Sequence, residues 1–133
     1  MDTEPRVAWF CPKDQHHPWA LEAFSRLPTG GLVCEAVLAE ACHLVAKDGV
    51  APGRVIQFVE RGGLTLTPLA GQLAEIRGLL DRYRNIRMDF ADACVVRLAQ
   101  LEEQSLICTT DSDFSVYQRE AGDQITLLAP FAA

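Results

Sequence analysis

The sequence predicts an α/β fold: one three-layer α/β/α domain over residues 1–133, with a mostly parallel sheet. Three observations lead there. Short apolar runs alternate with stretches of helical periodicity along the chain, which implies crossover connections between parallel strands. Glycine pairs, Pro-Gly and Asp-Gly punctuate the sequence where elements should stop. Two aspartate-bearing segments fall at a helix start and at a strand end, the edge where open α/β sheets bind ligands.

In order, residues 17–27 have the spacing of an amphipathic helix. Gly30-Gly31 introduces Leu32-Val33-Cys34, a short apolar run expected as a strand. Glu35 to Lys47 is expected as a helix that Asp48-Gly49 stops. Pro52-Gly53 precedes another helix through about Arg61, which Gly62-Gly63 ends. Leu64 to Thr67 alternates in the manner of a strand. Helices follow at about 70–83 and 89–104. Leu106 to Thr110 is the clearest strand, and Ile125 to Leu128 is the last.

The composition, 49% hydrophobic and 23% charged over 133 residues, is that of a folded domain with its own core. No apolar run approaches the roughly 20 residues that cross a bilayer. Met1 to Arg6 has no basic flank leading into an apolar stretch, so the expected location is the cytoplasm, with no membrane partner. The cysteines at 11, 34, 42, 94 and 108 are odd in number and form no Cys-x-x-Cys pair. That excludes a disulfide framework or zinc knuckle and leaves small buried residues in a reducing compartment. With 12 basic and 18 acidic residues, the net charge of −6 is not that of a non-specific nucleic-acid binder. It does allow an enzyme whose acids are concentrated in a metal pocket.

The candidate site residues are Asp2, Glu40, Asp92 and Asp111. At about 100° per residue, Leu38, Ala41, Leu44 and Val45 share a stripe with Val37. Glu40 falls at its edge and Glu35 opposite. A carboxylate so near a buried face needs a partner, either an arginine or cap donor, or a metal. Asp92 groups with Val95, Val96 and Ala99. It also stands three residues after Asp89, the spacing of an N-cap and its third helical residue. Asp111 should emerge at the end of the 106–110 strand, where Asp-Ser-Asp is equally good Asx-turn chemistry. Asp113 serves that turn or supports the site. Several acids meeting at one strand edge repel one another unless a cation shares the site.

In these segments the chain resembles the PIN-domain ribonucleases, specifically the VapC-like toxins of bacterial toxin–antitoxin pairs. The matching stretches are Asp2-Thr3 followed by Val7-Ala8, Ala36-Val37-Leu38-Ala39-Glu40, Asp89-Phe90-Ala91-Asp92-Ala93, and Thr109-Thr110-Asp111-Ser112-Asp113-Phe114. In order and spacing they span almost the whole chain. The resemblance implies a PIN-like domain with a mainly parallel five-stranded sheet between helices. It implies that Asp2, Glu40, Asp92 and Asp111 form the acidic metal cluster, with Asp113 an auxiliary ligand. It further implies Mg2+- or Mn2+-dependent cleavage of RNA by a homodimer that a cognate antitoxin protein restrains. Hard oxygen donors suit either cation and leave room for waters and a substrate phosphate. Such an ion would activate water and stabilise the charge of the transition state and leaving oxygen. The chain departs from the family pattern at its start. Only Met1 precedes Asp2, where the family has an apolar strand, and Arg6 stands at a usually apolar position. The alternative expectation is a catalytically weak or inactive PIN-like module that binds RNA or a protein partner.

Other features carry less. Arg82, Arg84 and Arg87 cluster around Tyr83, either as contacts for an RNA backbone or as a solvated helix end. His16 and His17 near Cys11 are polar loop residues rather than a zinc site. Trp9 and Trp19 are core or interface aromatics. There is no glycine-rich phosphate loop, and no serine or cysteine in a nucleophile setting.

Overall fold

A computed structural model describes residues 31–62, 64–102, 106–108, 116–118 and 126–128. Strand β1 (Gly31–Val33) leads into helix α1 (Glu35–Lys47) and then α2 (Gly53–Glu60). Strand β2 (Leu64–Leu66) is followed by a 3-10 turn at Ala70–Gln72 and helix α3 (Leu73–Arg82). A second 3-10 turn at Arg84–Ile86 precedes helix α4 (Phe90–Leu101), and strands β3 (Leu106–Cys108) and β4 (Thr126–Leu128) complete the order. Each expected element in this part of the chain is present within a few residues. The expected helix at 17–27 lies outside the described residues.

The strands do not join as expected. The described strands form two separate two-stranded parallel pairs, β1 with β2 and β3 with β4. A five-stranded sheet between two helical layers is therefore not the architecture, and the described residues are mainly helical. The physical reason is that side-chain periodicity specifies strand and helix locally. Which strands lie side by side is decided by backbone hydrogen bonding, which every residue offers alike. Strands of three residues also contribute few of those bonds, so helix packing carries the core.

That packing follows from the helical repeats. On α1, Val37, Ala41 and Val45 recur every four residues and are all fully buried. Helix α4 is central: Ala93, Cys94, Val95, Val96, Leu98 and Ala99 are all buried, leaving it apolar almost all round. Both α1 and α3 pack on it. The β1–β2 register pairs Gly31 with Leu64 and Val33 with Leu66. It extends one step further, where the Thr67 N–H donates to the Val33 carbonyl at 2.8 Å. A Cβ at position 31 would lie 2.9 Å from Leu64 Cδ2, so a larger residue there would make the Leu64 side chain shift. No helix among the described residues is long and apolar enough to cross a membrane.

Candidate functional site at the ends of the β1–β2 pair

Parallel strands deliver their chain to one edge, and here that edge holds a groove. Residues immediately after β1 (Cys34, Glu35) and after β2 (Pro68, Leu69) line it, together with Phe90 and Cys94 of α4. Its volume is about 190 Å3. The first turns of α1 and α4 therefore both meet this edge. Leu73 and Phe90, also on its wall, are 62% and 51% exposed. Glu35 is exposed and sits in the first turn of α1, as its position opposite the apolar stripe predicts.

Asp92 lies where the sequence places it, and its geometry is that of a cap. The Asp92 N–H donates to Asp89 Oδ1 at 2.8 Å, while Asp92 Oδ2 accepts from the Asp89 N–H at 3.3 Å. This reciprocal capping box starts α4 with Asp89 as N-cap and Asp92 as the third helical residue. It satisfies two backbone donors that a helix start leaves open. Asp92 is half-buried and Asp89 exposed. Glu40 is half-buried on α1, which packs against α4, matching its expected place at the edge of the stripe. Asp2, Asp111 and Asp113 lie outside the described residues, as do His16, His17 and Cys11.

Among the described residues no group of three or more His, Cys, Asp or Glu side chains is placed to hold a metal ion. Of the expected acidic set only Glu40 and Asp92 are described, and they form no such group. Asp92 and Glu40 are hard oxygen donors, and magnesium sites commonly take one or two carboxylates and fill the rest with water and phosphate.

The two cysteines at the groove are of a different kind. Cys34 and Cys94 are each 2% exposed. Burial first, then the charge and hydrogen bond of neighbouring Cys34, and finally the charge of Asp89 push the Cys94 thiol from 9.0 up to about 12. Such a thiol stays protonated and is a poor nucleophile or metal ligand at neutral pH. Cys94 is thereby removed as a nucleophile or ligand in the groove.

On the far side of α3, Tyr83 is buried, with its ring 5.0 Å from that of Tyr117 in an edge-on arrangement at 64°. Its hydroxyl accepts from the Gln118 N–H at 3.0 Å. Tyr83 is thus a core residue and presents no face for base stacking.

No protein-family model matches the chain, and no curated protein does.

Sequence reasoning missed the apolar groove wall. Its signal was present in Phe90, a large apolar residue directly after the N-cap, where the first turn faces outward. It also missed the buried Arg97, whose Nε donates to Gln72 Oε1 at 2.8 Å and Nη1 to Gln100 Oε1 at 3.2 Å. The surrounding apolar run concealed it.

Proposed function

We propose that the chain is a Mg2+- or Mn2+-dependent endoribonuclease, similar in its acidic motifs to the VapC-like PIN-domain toxins. In this reading it is a cytoplasmic homodimer held in check by an antitoxin protein. The observation that carries the proposal is the position of Asp92. Its carboxylate is fixed by the capping box at the head of α4, the helix whose Phe90 and Cys94 line a groove at the C-terminal ends of a parallel strand pair. Asp92 and Glu40 would act chiefly as metal ligands, with Asp2, Asp111 and the auxiliary Asp113 completing the set. The cation would supply charge stabilisation and an activated water. This chain's own residues would hold the scissile phosphate in place and keep the carboxylates preorganised.

One observation favours a second reading. The capping box by itself accounts for both Asp89 and Asp92, which fits a module that binds RNA or a protein without turnover. Cleavage of a mixed RNA by purified, partner-free protein, with manganese or with EDTA, separates the two. Manganese-dependent cleavage that disappears in Asp92→Asn supports the nuclease. Metal-independent retention of intact RNA supports the module.

A further inference from the structure

We propose that Cys34 and Cys94 form a reversible oxidation site, a dithiol in the wall of the groove that a hydroperoxide converts to an intramolecular disulfide. The site does not depend on the nuclease reading; it needs only two neighbouring sulfurs and a route to them.

The pair comes from two different elements, far apart in sequence. Cys34 follows β1 as the N-cap of α1, with an extended backbone at φ −103° and ψ 163° and no capping hydrogen bond from its side chain. Its sulfur is therefore not engaged by the helix start. Cys94 lies one turn into α4. Both are free cysteines, each 2% exposed, and a hydrogen bond joins their side chains. Closing that contact to the roughly 2 Å of a disulfide takes a short movement of the two side chains. Cys42 is the contrast. It packs with the other core cluster, its thiol donates to the Pro52 carbonyl at 3.9 Å, and it does not line the groove.

Burial in the core accounts for each cysteine singly, but not for two in contact on the wall of one open groove. That groove, about 190 Å3, supplies the route. Hydrogen peroxide is little larger than water, so it reaches sulfurs that a bulky alkylating reagent does not.

The chemistry divides between the two thiols. Cys94 keeps its proton, so the Cys34 sulfur attacks one peroxide oxygen. The O–O bond breaks, the other oxygen leaves with the Cys34 proton as an alcohol or water, and Cys34 becomes a sulfenic acid. Burial first, and the charge of Cys34 second, hold Cys94 protonated. The second cause disappears once Cys34 carries oxygen. The Cys94 sulfur then attacks the Cys34 sulfur, the S–O bond breaks, and hydroxide leaves as water with the Cys94 proton. Two thiols are oxidised by two electrons and one hydroperoxide is reduced. The bond ties the start of α1 to α4, two helices that border the groove.

The test exposes the reduced full chain to hydrogen peroxide, removes the excess with catalase, and reads intact mass, free thiols and linked peptides. The chain should lose two hydrogens and two of its five thiols, with Cys34 and Cys94 in one linked peptide pair that dithiothreitol separates. The oxidised chain should unfold about 5–15 °C higher than the reduced one, because the bond closes a long loop. Cys34→Ala and Cys94→Ala should each abolish the reversible change, and Cys42→Ala should leave it intact. The wild-type peptide map stands even where a core variant folds poorly. Linkage through Cys11, Cys42 or Cys108, disulfide-linked dimers, or oxygen addition without a disulfide would overturn the proposal. A Tm lower in the oxidised chain than in the reduced one would also overturn it, since the folded groove would then not accommodate the bond.

Discussion

The capping box at the start of α4 gives Asp89 and Asp92 separable roles, and a small set of substitutions tests the separation. Asp89→Ala removes the oxygen that receives the Asp92 N–H at 2.8 Å. Loss of an N-cap of this kind costs about 1 kcal/mol, within a range of roughly 0.5–2. For a domain of this size that lowers Tm by about 3–5 °C. Asp92→Asn behaves differently, because it keeps an acceptor for the Asp89 N–H, now at 3.3 Å, and leaves the backbone donor in place. It loses the favourable charge near the helix N-terminus, about 0.3–1 kcal/mol. That loss is offset by relief of repulsion between two carboxylates in one box. The net change should be under about 1 kcal/mol, with Tm moving by no more than about 3 °C. Cleavage should nevertheless vanish in Asp92→Asn, since an amide is a poor ligand for a hard cation. Asp89→Asn, an equally good cap, should keep both Tm and cleavage. Thermal unfolding by circular dichroism and a manganese cleavage assay on the same preparations provide the readout. Retained cleavage in Asp92→Asn, with a Tm loss as large as that of Asp89→Ala, would refute a chemical role for Asp92.

Three further outcomes are expected. The Cys94 thiol, raised by burial and by its neighbours to about 12 from 9.0, is protonated in the fold at pH values where the unfolded chain ionises. Its contribution is thus fully present below about pH 9 and lost as pH rises towards 12; denaturant midpoints at pH 8, 10 and 11 should fall more steeply for the wild type than for Cys94→Val. Gln72→Ala removes the acceptor at 2.8 Å from the buried Arg97 Nε, and a shift in urea midpoint worth about 1–2 kcal/mol would mark a desolvated donor left under-satisfied, whereas no shift would mean solvent reaches it. Val37→Ala deletes two methyl-sized groups from a fully buried position and should cost about 2 kcal/mol in the same assay.

Local structure was legible because it is encoded locally. The helix expected over Glu35 to Lys47 has those same limits in the structure, since a four-residue apolar recurrence and an Asp-Gly stop are properties of adjacent residues. The cap at Asp89 and its third-position partner Asp92 could be read from their spacing alone. What the sequence did not reveal was lateral: which short strands pair. Backbone groups are chemically alike along the chain, so no residue at 31–33 or 106–108 names its neighbour. The burial of Tyr83 was hidden for a related reason. A tyrosine between two arginines looks solvated until Tyr117, distant in sequence, closes over it.

The electrostatics of the groove edge connect these pieces. A helix N-terminus carries roughly half a positive charge and ordinarily recruits anions. The first turns of α1 and α4 both meet the groove, yet each already carries an acid, Glu35 on one and Asp92 on the other. Each carboxylate offsets its own helix dipole, and Glu35 also lines the groove, so a bare phosphate is not favoured at that edge. It can approach there only with a counter-charge, which either a shared cation or a nearby basic surface supplies. The sequence offers both within a few residues: oxygen donors on α4, and Arg84 and Arg87 on the turn before it. On the nuclease reading, RNA should therefore bind more tightly with magnesium than with EDTA. That gain should shrink in Asp92→Asn, which replaces a hard oxygen donor with an amide.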